Sequence, residues 1–66
     1  MNATAYIYGI NGPIVYVKGK HNFKNGEMVL VGKDRLVGEV IGLVTGKTTI
    51  QVYEDTGGLR PGDEVI

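Results

Sequence analysis

Gly46-Lys47-Thr48 is the place in this 66-residue chain where chemistry first suggests itself. The triplet matches the end of a phosphate-binding loop, G-x-x-x-x-G-K-[ST], whose backbone N–H groups and lysine surround a phosphate. The nearest upstream glycine is Gly42, and only Leu43, Val44 and Thr45 intervene, which is one residue short. Such a loop must also open a helix whose N-terminus holds the anion. Here Thr48-Thr49-Ile50-Gln51-Val52-Tyr53 follows, a β-branched run that reads as a strand. The triplet is therefore read as a hairpin turn.

Glu54-Asp55 offers two carboxylates, the pair needed for general acid and base work. Adjacent residues of an extended chain point to opposite sides, so the two do not flank one reacting atom. Followed by Thr56-Gly57-Gly58, they read as a turn held by side-chain-to-backbone hydrogen bonds. Four tyrosines, Tyr6, Tyr8, Tyr16 and Tyr53, form the next candidate set. Aromatic rings on a barrel surface can stack nucleic-acid bases. They can equally fill a subunit contact, where aromatics are enriched. A stacking platform normally comes with a basic groove, and seven basic and seven acidic side chains cancel here. His21 is the single histidine and sits in a polar stretch, where a solvated role is expected. With no cysteine, disulfides and thiolate metal sites are excluded. No catalytic residue, cofactor or metal site is expected.

Short elements must carry these side chains. The chain is one domain at most, and a core of this size is marginal. No apolar run approaches the ~20 residues of a membrane span. Met1-Asn2-Ala3-Thr4 lacks the basic start and apolar run of a signal peptide. Eleven glycines, about twice ordinary usage, are spread between apolar segments. This is the pattern of short strands with tight turns and bulges.

Six segments read as strands: 4–10, 13–18, 27–31, 36–44, 47–53 and 63–66. Gly9 breaks the period of two between Ile7 and Ile10 and predicts a bulge. Asn11-Gly12 and Asn25-Gly26 are turn signals, and Pro13 is tolerated as the first residue of a strand. Phe23 anchors the polar loop 19–26, Gly32-Lys33-Asp34-Arg35 is a turn, and Leu59 anchors the connection 54–62. In 36–44, Val37, Glu39, Ile41 and Leu43 share one face, and Leu36, Gly38, Val40 and Gly42 the other. Two glycines in that strand predict strong bending. No segment carries the i, i+3, i+4, i+7 period of a helix. An all-β, small, closed six-stranded barrel hides every strand edge in so short a chain. Its interior is expected to hold Ile7, Ile10, Val15, Val17, Val29, Val31, Val40, Ile50, Val52 and Val65. These compact side chains leave no room for a ligand.

Three stretches bear a family likeness. Ile7-Tyr8-Gly9-Ile10-Asn11-Gly12-Pro13-Ile14-Val15 resembles the opening I-x-x-[VI]-x-G-P-[VI]-V of rotary ATPase head subunits. Glu27–Gly32 followed by Leu36–Ile41 resembles the next segment of that pattern. Ile50-Gln51-Val52-Tyr53-Glu54-Asp55-Thr56-Gly57-Gly58-Leu59-Arg60-Pro61-Gly62 resembles the end of the N-terminal β-barrel in the catalytic A (alpha) subunit of archaeal and vacuolar-type ATPases. The loop Lys20–Lys24 and an outward Leu30 depart from the pattern.

The resemblance implies a non-catalytic domain of a larger subunit, followed there by nucleotide-binding and helical domains. Three catalytic and three non-catalytic barrels would form a ring that holds the hexameric head together. Residues 1–66 are then expected to be one excised or engineered domain of a cytoplasmic head that lies peripheral to the membrane, with no direct insertion. The parent would couple ATP hydrolysis or synthesis to proton or sodium transport. Partners would be the homologous barrels of catalytic and non-catalytic subunits, with weak self-association in isolation and no nucleic acid. Tyr6, Tyr8, Met28, Leu30 and Tyr53 are the expected subunit-interface residues. An alternative remains. Gly26–Val31 with Gly38-Glu39-Val40 loosely resembles the KOW-type pattern of ribosome-associated proteins, which implies an SH3-like or OB-like RNA-binding barrel.

Overall fold

A computed structural model describes residues 4–20, 22–44 and 46–66. Six strands follow in order: β1 (Thr4–Asn11), β2 (Ile14–Lys20), β3 (Met28–Val31), β4 (Leu36–Val44), β5 (Lys47–Val52) and β6 (Glu64–Val65). They pair as a closed barrel in the order β1-β2-β5-β4-β3-β6, and every pairing is antiparallel. No helix occurs among the described residues. His21 and Thr45 lie outside them, as do Met1, Asn2 and Ala3.

The six expected segments are the six strands, with shifted ends. The first hairpin turns at Gly12-Pro13 and not at Asn11-Gly12, because Asn11 pairs with Ile14. Gly12 takes a φ of 59°, the left-handed value that the first central position of a type II′ turn requires. Pro13 therefore precedes β2, and its carbonyl accepts from Val52 N at 2.8 Å. Glu27 and Tyr53 fall just outside β3 and β5. The sixth strand is two residues long. Backbone bonds continue past it on both sides, from Ile7 N to Asp63 O (2.9 Å) and between Leu30 and Ile66 in both directions (2.7 and 2.9 Å). This short piece closes the barrel.

Two bulges bend the wall. Register shifts between Ile7 and Gly9, so Tyr8 is the extra residue next to the glycine that predicts the bulge. The other shift falls between Val40 and Gly42 and makes Ile41 the extra residue. It reverses the expected faces beyond it. Leu43 pairs with buried Thr48, on the inner side, and Gly42 joins Thr49 on the outer side. Strict alternation through 36–44 is wrong for this reason.

The interior holds nine of the ten expected side chains; Ile10 is half-buried and packs against them from the rim. Ala5 and Leu59 complete the apolar set, and Thr48 is buried as well. Val15, Val17, Val31 and Ile50 are 0 % exposed. Each such side chain contributes about 1.5–3 kcal/mol by leaving water. Gly38 is part of this packing, since a Cβ there would lie 2.8 Å from Ile50 Cγ2 and 3.1 Å from Gln51 O. Leu59 enters from the end where β5 stops and β6 starts. Gly32 (φ 76°) makes room for it: a Cβ would meet Leu59 Cδ2 at 2.4 Å. Phe23 packs against the core from the loop between β2 and β3, at the opposite end.

Candidate functional site

With the interior filled, functional side chains must lie on the outer wall. Alternation in β3 puts Val29 and Val31 inside and Met28 and Leu30 outside. Leu30 lies opposite Val37 on β4 and opposite Ile66 on the other flank. Tyr53 N donates to Val37 O at 3.0 Å, which sets Tyr53 beside Val37. Ile66, Leu30, Val37 and Tyr53 therefore form one outward row across four segments. A second row runs Met28, Glu39, Gln51, Ile14. Opposed and diagonal side chains in such rows touch, which makes the two rows one surface.

Met28 is 57 % exposed and Tyr53 54 %, and Leu30 and Ile66 are exposed too. For an aliphatic and aromatic row this is a surface that gains by being covered. The Tyr53 hydroxyl donates to Glu39 Oε1 diagonally across the two rows. That bond, with some desolvation and the nearby negative charge, holds the phenol above its ordinary value of 10.0. Tyr53 is thus fixed as a neutral ring lying along the wall.

The other three tyrosines occupy the opposite wall. Tyr8, pushed out by the first bulge, lies 6.2 Å from Tyr16 between ring centroids, tilted by 39°. Lys18 Nζ sits 5.4 Å over the Tyr8 ring, and Lys47 Nζ sits 5.0 Å over the Tyr16 ring. Both are cation–π placements, worth about 0.5–1 kcal/mol at an exposed site. Tyr6 pairs with Lys18 on one side and Glu64 on the other. Of the five expected interface residues, the fold brings Met28, Leu30 and Tyr53 together and keeps Tyr6 and Tyr8 apart from them.

Ile41, Val44 and Ile66 are exposed apolar residues that the local pattern does not single out. Ile41 projects because of the second bulge, whose only sequence signal is Gly42. The partnering of Leu30 with Ile66 depends on β6 and is not visible in local pattern.

The decoy motifs resolve as turns. Val44 pairs with Lys47, so Thr45-Gly46 is a two-residue hairpin connection and Lys47 begins a strand, with no helix to hold a phosphate. Asp55 Oδ1 accepts from Gly57 N at 2.9 Å, Glu54 Oε2 accepts from Val37 N at 3.2 Å, and the Thr56 hydroxyl donates to Gly12 O at 2.8 Å. The two carboxylates fasten the connection to the wall. A shallow depression of about 440 Å³ lies beside β6, lined by Lys33, Arg35, Asp63 and Glu64 among others. Its charges are mixed and open to solvent. Among the described residues, no group of three His, Asp or Glu side chains could hold a metal ion, and no helix is long and apolar enough to cross a membrane.

Comparison with known proteins adds a family to this geometry. The β-barrel domain of the ATP synthase alpha/beta family matches residues 7–66. The chain is 51% identical over 59 residues to the V-type ATP synthase alpha chain 2 of Clostridium tetani, covering 89% of this chain and 10% of that protein. It is 49% identical over 65 residues to the A subunit of the A-type ATP synthase of Staphylothermus marinus, covering 98% and 11%. Against the A subunit of the A-type ATP synthase of Nanoarchaeum equitans the identity is 54% over 60 residues, covering 91% and 10%. The chain spans about a tenth of the length of these relatives.

Proposed function

The chain belongs to the ATP synthase alpha/beta family, as its β-barrel domain, and on that premise we propose that it is a non-catalytic assembly module. In this reading it is the N-terminal barrel of a catalytic A subunit, set in a crown of homologous barrels that holds a hexameric head together. The parent protein hydrolyses or makes ATP and is coupled to proton or sodium movement, in a cytoplasmic head peripheral to the membrane. The barrel contributes a rigid wall, and the nucleotide chemistry belongs to the rest of the parent.

One observation carries the reading. A filled, closed barrel presents the outward rows containing Ile66, Leu30, Tyr53 and Met28 to solvent. A sealed interior leaves the outside as the working surface, and covering an aliphatic and aromatic row is favourable. The RNA-binding alternative rests on Tyr8 and Tyr16. Their lysine neighbours lie over the ring faces on which bases would stack.

The test is a binding comparison. The 66-residue chain is titrated with the isolated barrel of a non-catalytic ATP synthase subunit, and separately with single-stranded RNA over a range of salt. The expected result is association with the barrel and none with RNA. RNA binding that weakens steeply with salt, with no affinity for the barrel, would overturn the proposal.

A further inference from the structure

Zero net charge conceals a division of charge between two halves of the barrel. Around the wall, β1, β2 and β5 are neighbours, and so are β4, β3 and β6. The first three strands contain no Asp or Glu. Their outer side carries Lys18 and Lys47 with Tyr6, Tyr8 and Tyr16. The other three contain no Lys or Arg. Their outer side carries Glu39 and Glu64 with Met28, Leu30 and Ile41. Every other charged residue belongs to a turn, a connection or the last position of β2.

We propose that these two half-walls are complementary to each other, so that the lysine–tyrosine half of one copy of this chain docks on the glutamate–aliphatic half of a second copy. The proposal rests on the assembly reading above and adds which faces meet. Three features favour a second copy as the occupant. Opposite charges on the two halves attract between copies and repel when like halves meet. Each half has exposed apolar or aromatic area to bury, from Tyr6 and Tyr8 on one and Met28, Leu30 and Ile41 on the other. Tyr and Met are enriched in such contacts. The lysines lie along tyrosine rings, so their charge is presented flat against the wall with little further ordering needed on docking. Because unlike faces meet, the contact is heterologous: each copy keeps one face free, and association continues past two copies unless the rotation closes a ring.

Sedimentation of the 66-residue chain at low and high salt tests this, with two charge-reversed variants. Lys18→Glu/Lys47→Glu has two acidic halves, and Glu39→Lys/Glu64→Lys has two basic halves. The wild-type chain is expected to self-associate at low salt and to dissociate as salt rises. Each variant alone should associate about tenfold more weakly. An equimolar mixture of the two should recover association in alternating order. Circular dichroism confirms the fold of each. Glu64→Lys alone spares the Tyr53–Glu39 bond and serves if the double variant unfolds. A monomeric mixture of two folded variants overturns the proposal. So does self-association that neither variant changes, although that result leaves the assembly reading standing. A wild-type chain that stays monomeric at every salt overturns it too, and the titration with the non-catalytic barrel then decides the assembly reading separately.

Discussion

The two ends of the barrel are finished differently. At one end, the Gly12-Pro13 turn, the 32–35 turn and residues 53–63 are tied to the wall by many bonds. They include Val52 N to Pro13 O, Tyr53 N to Val37 O, Gly62 N to Ile7 O and Gly32 N to Glu64 O, all between 2.7 and 3.0 Å. Leu59 sits beneath them, 8 % exposed. At the other end, Gly26 and Glu27 bond to Val40, Lys24 and Glu27 bond to each other, and Phe23 is only half-buried. Leu43 is exposed at the end of β4 on the same side. A small barrel has two openings to close. One is closed here by a bonded lid with an apolar plug, the other by a loop leaning on the core. In so small a domain the bonded end must carry more of the stability, since its loss exposes both apolar area and backbone groups.

Substitutions at the two ends should separate in size. Leu59→Ala removes the plug beneath the bonded lid and should cost about 3 kcal/mol, read as a lowered denaturant midpoint in chemical unfolding. A loss no larger than that at Phe23 would erase the contrast. Gly32→Ala adds a Cβ into Leu59 and forces a left-handed φ on a side chain, at a cost of about 2 kcal/mol. Pairing it with Leu59→Ala in a double-mutant cycle should recover part of that cost, because the clash is then gone. Phe23→Ala, at the leaning end, should cost about 1 kcal/mol, with faster hydrogen exchange confined to residues 22–27 and their neighbours on β4.

The smallest effect concerns Tyr53, where the bonded end leaves the wall. Its phenol titrates above 10.0, with the Glu39 hydrogen bond the largest cause. The folded state thus holds this proton more tightly than the unfolded chain does. Any stability it lends is complete below the unfolded value and is lost as pH rises through the folded one. Glu39→Gln should bring the phenolate absorbance titration back toward 10.0 while leaving the barrel intact. An unchanged titration would show that Glu39 does not govern this group.

Local pattern carried the strands well, because alternation such as Met28-Val29-Leu30-Val31 must put alternate residues inside a half-buried wall. It also carried the turns, where Asp55, Thr56 and the glycines do chemistry with their own backbone. It failed where a side chain's fate depends on a distant strand. Ala5 is buried because Val65 pairs with it, nearly the whole chain away. Leu43 changes face because Ile41 bulges against β5, and a lone glycine does not say which neighbour will be the extra residue. The surface was half legible for the same reason. Met28 and Leu30 share a strand and could be read as a pair, whereas the distance between Tyr53 and Tyr6 across the barrel follows only from the strand order.

Glu64–Val65 is the sole strand between β1 and β3, and this sets a schedule for synthesis on the ribosome. The first hairpin emerges early, but β1 has one flank without a partner until the final residues of the domain are released. Native hydrogen bonding of that flank must then form last, across nearly the full length of the polypeptide. Until it does, the nascent chain offers an open edge to whatever lies nearby, and a chaperone that shields such an edge would find its substrate there.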